Sequence, residues 1–214
     1  MRNTTRILAA LALVLLFVPF SSALAQRRHG LVDVSPASER HGFWLNLGVA
    51  AGGENYRFDS PGNWQPKDQV EPSFWLALGG TVNPYLRLGG ELNGWVYEHN
   101  DPSGTGYRIT DYLVGGLLTG QVFPVRTLGF FLKGGVGITR SGESISGGGY
   151  GVGETGFGYL GGLGYEVRLG RNIFLTPAAN LMFHRSSGDR NDPSGALHER
   201  IWTVGVGITF QPGR

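Results

Sequence analysis

Apolar residues recur at every second position along this chain, in run after run, and polar or ionic residues occupy the positions between them. Leu86, Leu88, Gly90, Leu92, Gly94 and Val96 form one such row, with Arg87, Glu91 and Asn93 interleaved. Trp202, Val204, Val206, Ile208 and Phe210 form another. A period of two is the signature of β-strands with unlike faces. The pattern predicts eight strands, at about residues 43–53, 74–82, 86–97, 111–123, 130–139, 157–169, 173–185 and 200–211. Long polar segments follow the first, third, fifth and seventh. Tight connections carrying turn residues follow the second (Asn83-Pro84), the fourth (Pro124 to Gly129) and the sixth (Gly170-Arg171-Asn172).

An even number of strands of about ten residues, with short turns at one end and long loops at the other, describes a membrane barrel. About 9–11 tilted residues cross a bilayer, and closure removes the edge strands that lipid does not tolerate. The predicted fold is therefore all-β: an eight-stranded antiparallel up-and-down transmembrane β-barrel. Its large aliphatic residues face lipid and its ions face the lumen. The competing arrangement, a soluble lipocalin-like barrel holding an apolar ligand, requires the reverse. Here the ions share their face with Gly, Asn and Thr, and the aliphatic face is free of charge.

The N-terminus bears on the compartment. Arg2 and Arg6 precede an apolar stretch from Ile7 to Phe20, and Ala23-Leu24-Ala25 supplies small residues for cleavage. Residues 1–25 are read as a secretory signal peptide, 26–41 as a flexible polar leader, 42–211 as the barrel and 212–214 as a short tail. No other segment approaches a helical membrane span. The chain carries a formal net charge of +2, and loss of Arg2 and Arg6 leaves the mature part neutral, which gives no case for nucleic acid or an acidic partner. No cysteine is present, so disulfides and a lipid-modified cysteine are excluded. The 37 glycines lie largely inside the alternating runs, where a curved barrel wall can use them.

The candidate chemistry is concentrated on the lumen face. Arg87, Glu91, Lys133, Glu166 and Arg168 would meet little water there, so they are expected to pair across the barrel, with Glu91 and Glu166 each beside a cation. Such a cluster serves as a filled interior or, if it rearranges, as the gate of a small-solute pore. Tyr112, Trp202 and Phe210 are expected at the membrane interfaces. Trp75 and Trp95 fall on the nominal lumen face, and Tyr85 lies at a turn. Metal binding is not expected, since the five histidines are scattered. No cofactor is expected, and Gly147 to Gly151 lies in a loop with no adjoining helix to cradle a phosphate.

In architecture the chain resembles the small OmpA/OmpX-type outer-membrane barrels over about residues 43–211. Its last strand is similar to the C-terminal signal read by the barrel assembly machinery, with Thr203, Gly205, Ile208 and Phe210 at the polar, glycine, hydrophobic and aromatic positions. Gln211-Pro212-Gly213-Arg214 trails behind, where the signal usually ends the chain. The resemblance implies a bacterial outer membrane, contact with its lipid and lipopolysaccharide, and turns in the periplasm with loops outside. It implies a non-enzymatic envelope or surface-interaction role. A second resemblance points elsewhere. His184-Arg185-Ser186 with Glu199 beyond the loop looks like the His-x-Ser and downstream Glu of the lipid A deacylase barrels of the PagL family. That likeness implies a base (His184), a nucleophile (Ser186) and an orienting acid (Glu199). Two features of the chain run against it: the asparagine that usually follows the Ser is Ser187, and strand parity turns His184 and Ser186 toward the lumen.

Overall fold

A computed structural model describes residues 40–59, 62–66, 69–101, 106–146, 153–186 and 195–212. The expected signal peptide, nearly all of the leader and the glycine loop at 147–151 lie outside the described residues. Among the described residues ten strands follow one another: β1 (Phe43–Phe58), β2 (Gln65–Pro66), β3 (Glu71–Asn83), β4 (Leu86–Asn100), β5 (Arg108–Val122), β6 (Phe130–Ile145), β7 (Gly153–Tyr165), β8 (Val167–Arg168), β9 (Ile173–Ser186) and β10 (Leu197–Phe210). Eight are long. Each long strand pairs antiparallel with its neighbours, and β10 pairs with both β9 and β1, which closes the barrel.

The strands run further than the apolar alternation, chiefly at the long-loop end. There β1 continues to Phe58 and β4 to Asn100, while β3 begins at Glu71 and β10 at Leu197. Pairing with a neighbour satisfies the backbone whether or not the side chains are apolar. The expected strand 157–169 is interrupted at Glu166, whose amide donates to the Gly129 carbonyl at 2.9 Å. The short piece β8 then pairs with β9.

The wall separates oil from charge. Leu118 is 75% exposed, Val49 64% and Val136 55%, whereas Arg87 is 1% exposed and Glu91 2%. All five lie on strands predicted with that same parity. Outward apolar residues and inward ions are the arrangement a lipid-embedded barrel demands.

Glycine lets the wall hold bulky groups at two places. Gly48 faces Trp75 across the β1–β3 ladder, and a Cβ there would run into the indole. Gly53 faces Trp202 across β1–β10, and a Cβ would lie 3.0 Å from the indole nitrogen. One indole fills the lumen; the other lies flat on the outer wall.

Candidate functional site

The interior is stacked in three layers. Nearest the short turns is an ionic layer. Arg87 Nη1 donates to Glu166 Oε1, and its Nη2 donates to Gln211 Oε1. Arg40 enters the same layer: Nε donates to Glu166 Oε2 at 3.4 Å, Nη1 to the Arg126 carbonyl at 3.1 Å and Nη2 to the Leu128 carbonyl at 2.6 Å. Its guanidinium lies 3.7 Å from the centroid of the Phe123 ring. Gln211 Nε2 in turn donates to the His41 carbonyl at 2.7 Å. The two chain segments flanking the barrel thus meet at its turn end. Arg40 and His41 were expected to belong to a flexible leader. Instead, Arg40 is buried, because Glu166 offers a second carboxylate oxygen and the 126–128 turn two carbonyls.

Above this, Lys133 Nζ donates to Glu91 Oε1 at 2.7 Å, and Asn93 donates to the same oxygen at 3.1 Å. Trp75 Nε1 donates to Asn46 Oδ1, and Asn46 donates to Thr209 at 2.8 Å. The void left among these groups is about 10 Å³, at the lower limit for holding a single water. Arg168 takes no part in the ion pairs among the described residues. It pairs in register with Phe174, and its guanidinium lies over that ring, 5.5 Å from the centroid. The interruption at Glu166 leaves Arg168 on a separate short piece at the barrel's end.

The second layer is apolar. Trp95, Leu113, Leu117, Leu160, Met182 and Ile201 form one buried cluster inside the barrel. Trp95 falls on the lumen face by strand parity, as expected, whereas Leu113, Leu117, Leu160, Met182 and Ile201 occupy inward positions for which no apolar layer was expected. The signal was present: Leu113 and Leu117 share the parity of Thr119 and Gln121, but adjacent apolar residues at 112–114 and 117–118 hide which face each belongs to.

The third layer is polar and lies toward the long loops. Thr139 Oγ1 and His184 Nδ1 are 2.6 Å apart, and His184 Nε2 lies 3.9 Å from Glu199 Oε2. Ser141 donates to Glu199 Oε1 at 2.7 Å. Ser186 Oγ accepts from the Leu197 amide at 2.9 Å. His184, Ser186 and Glu199 therefore do share the lumen, as parity predicts, but the hydroxyl on the imidazole is that of Thr139. Thr139 is fully buried, with no face open to an acyl chain. Over this layer opens a cup of about 420 Å³ lined by Glu54, Tyr56, Asp111, Glu143, Glu154 and Glu199, among others. At its rim, Asp59 accepts from the Ala196 amide and lies 2.8 Å from His198 Nε2. The hydrogen bond from His198, and then that from Ala196, hold the Asp59 carboxyl below the usual carboxylate range.

The expected interface aromatics Tyr112, Trp202 and Phe210 all point outward. Phe210 is at the turn end of the wall, and Tyr112 and Trp202 are toward the loop end. Tyr85 is exposed at a turn, whereas Trp75 and Trp95 are buried in the lumen. In the closing strand, Thr203 faces inward, Gly205 packs against Ala50, and Ile208 and Phe210 face out. No group of three or more metal-ligating side chains converges among the described residues.

The sequence matches the family described as outer membrane protein beta-barrel domain over residues 9–210. No curated protein matches it. Among solved structures it is similar to Ail, the attachment invasion locus protein of Yersinia pestis, in complex with the heparin analogue sucrose octasulfate. That match has 13% identity and a TM-score of 0.57, and covers 79% of this chain and 99% of that one. It is also similar to Neisserial surface protein A, at 13% identity and TM-score 0.50, covering 80% and 97%. At such identity the likeness is one of fold.

Proposed function

Starting from a chain that belongs to the outer membrane protein β-barrel family, we propose that it is a non-enzymatic integral protein of the bacterial outer membrane, closed to solutes, that acts through its long-loop end. The filled lumen carries this reading. An ionic layer, an apolar layer and a polar layer follow one another with no water-sized passage beside Glu91. By the usual orientation of such barrels the short turns face the periplasm and the long loops the outside. Expected partners are membrane lipid and, during assembly, the machinery that reads the closing strand β10.

A closed lumen makes the protein, inserted in a planar bilayer, give no steady conductance. Glu91→Ala should leave it closed, because the apolar block around Leu117 lies beyond the Lys133 layer. A steady ohmic conductance from the native protein would overturn the closed reading.

The acidic cup supports a surface role of its own kind. Its carboxylates disfavour a polyanion such as the sulfated ligand in the Ail complex.

The deacylase reading makes a separate prediction. His184 is engaged by Thr139 and the Ser186 hydroxyl accepts a backbone amide, so Ser186→Ala should leave the acyl pattern of lipid A unchanged by mass spectrometry. An acyl chain removed only when Ser186 is present would restore the enzymatic reading.

A further inference from the structure

We infer that the cup at the long-loop end binds a linear aliphatic diamine or polyamine, with its ammonium groups on carboxylates at two heights and its methylenes against aromatic rings. The inference rests on the reading that the barrel acts through that end, and it gives the cup a class of ligand.

Strand parity brings the acids together. Glu54 stands on β1, Asp111 on β5, Glu143 on β6, Glu154 on β7 and Glu199 on β10, and all five line the cup. Arg140, Arg185 and Arg200 are each one position out of phase with the inward residues Ser141, His184 and Glu199, and so face outward. No lysine or arginine lines the cup among the described residues. Its volume of about 420 Å³ is that of a small-molecule pocket.

The acids stand at two heights. Nearer the loops, Asp111 is directly opposite Glu143 in the β5–β6 ladder. Like charges directly opposite one another destabilise a sheet, and a bound cation relieves that repulsion. Two residues down β6, Ser141 is paired with Glu154 and donates to Glu199. Two residues of strand rise about 7 Å, which two ammonium groups joined by four or five methylenes can span. Aromatic rings border both heights. Tyr97 is opposite Asp111 and stacks on His99, with centroids 4.8 Å apart, and Tyr56 is opposite Glu199. Such rings accept methylenes by contact and ammonium groups over their faces.

His184, beneath the cup, gives an independent sign of a missing donor. Its side chain is fully buried, and Nε2 points at Glu199 Oε2 across 3.9 Å, beyond hydrogen-bond reach. The Thr139 hydroxyl donates to the Gly156 carbonyl at 3.5 Å, so the bond between Thr139 and His184 uses the Nδ1 proton. Nε2 is left as an acceptor, and it has no hydrogen-bond partner. An acceptor aimed at a carboxylate of the cup calls for a donor, and an ammonium group carries three. Among the described residues no three acids or imidazoles converge as a metal ion requires. Acids spread round a wall suit a flexible chain with separated charges.

The test uses the full chain folded in micelles of an uncharged maltoside detergent, with binding read by titration calorimetry. The probes are putrescine, butylamine, ethylenediamine and magnesium chloride. Putrescine should bind. Butylamine, with one ammonium, and ethylenediamine, too short to reach both heights, should bind about tenfold more weakly. Glu143→Gln and Glu154→Gln should each weaken putrescine about tenfold, while Glu98→Gln, on the outward face of β4, should change nothing. The heat-dependent gel mobility of a folded barrel checks each variant. Without ligand, Glu143→Gln should keep or raise the unfolding midpoint, because it removes one of two facing charges; a lowered midpoint would make the carboxylate structural and overturn its ligand role. Butylamine binding as tightly as putrescine, magnesium displacing putrescine at equal charge, or unchanged affinity in both glutamine variants would overturn the inference. Sealed vesicles carrying the native protein separate it from the closed-barrel reading. Labelled putrescine that binds and also enters them supports the cup and overturns the closed lumen, whereas vesicles that neither bind nor admit it count against the cup alone.

Discussion

Replacing Glu166 with alanine is expected to destabilise the folded barrel by about 3–5 kcal/mol, the cost of leaving buried charge without its partner. The carboxylate stands between Arg87 and Arg40, and all three side chains are 1% exposed. Two guanidiniums would be left facing each other in a packed layer whose free volume is only about 10 Å³. Glu166→Gln keeps the oxygen acceptor and the shape but removes the charge, and should fall between alanine and the native residue. Urea unfolding of protein refolded into vesicles, followed by tryptophan fluorescence, measures both. A loss below about 1 kcal/mol, the range of an exposed pair, would mean that water reaches Glu166 and that the turn end is open. The pairing also predicts coupling: Arg87→Met should relieve part of the Glu166→Ala penalty, since the buried cation is removed with its partner.

The second large effect belongs to the outer wall. Leu118→Arg should cost about 2–4 kcal/mol in a bilayer, the penalty for arginine near the midplane of a barrel's lipid face. Leu118 is near the middle of the outward apolar residues of β5, which run from Tyr112 to Val122. The same substitution on a water-soluble barrel would replace an exposed leucine with a well-solvated side chain, at a cost within about 0.5 kcal/mol. Refolding yield into vesicles and the unfolding midpoint there distinguish the two. An unchanged midpoint would mean that this face does not meet hydrocarbon.

Much of this architecture is legible in single residues. Leu88 and Arg87 are neighbours in the chain and opposites in environment, and the parity that separates them holds along every long strand. The lumen side of His184 and Ser186 was legible by the same counting from Ile173. The reading failed where the signal is not periodic. Arg40 lies in a polar stretch ahead of the first strand, and nothing local marks it as buried. Leu113 and Leu117 lie beside outward apolar residues, so two contradictory phases overlap and the apolar lumen block stays hidden. Arg168 was grouped with the ions because a strand break at Glu166 leaves no mark in the alternation.

The number of long strands, the order of turns and loops, and which face meets lipid are determined by the sequence alone, because each is a local property of a chain whose side chains alternate. Which groups touch was decided only by closure. Arg87 meets a carboxylate 79 positions away, Thr139 takes the imidazole in place of Ser186, and Trp64 comes to lie beside Arg57 and Arg200. Those contacts depend on the stagger between strands and on the first strand joining the last. No local pattern encodes that geometry, because it arises only when every pairing in the circle is satisfied at once.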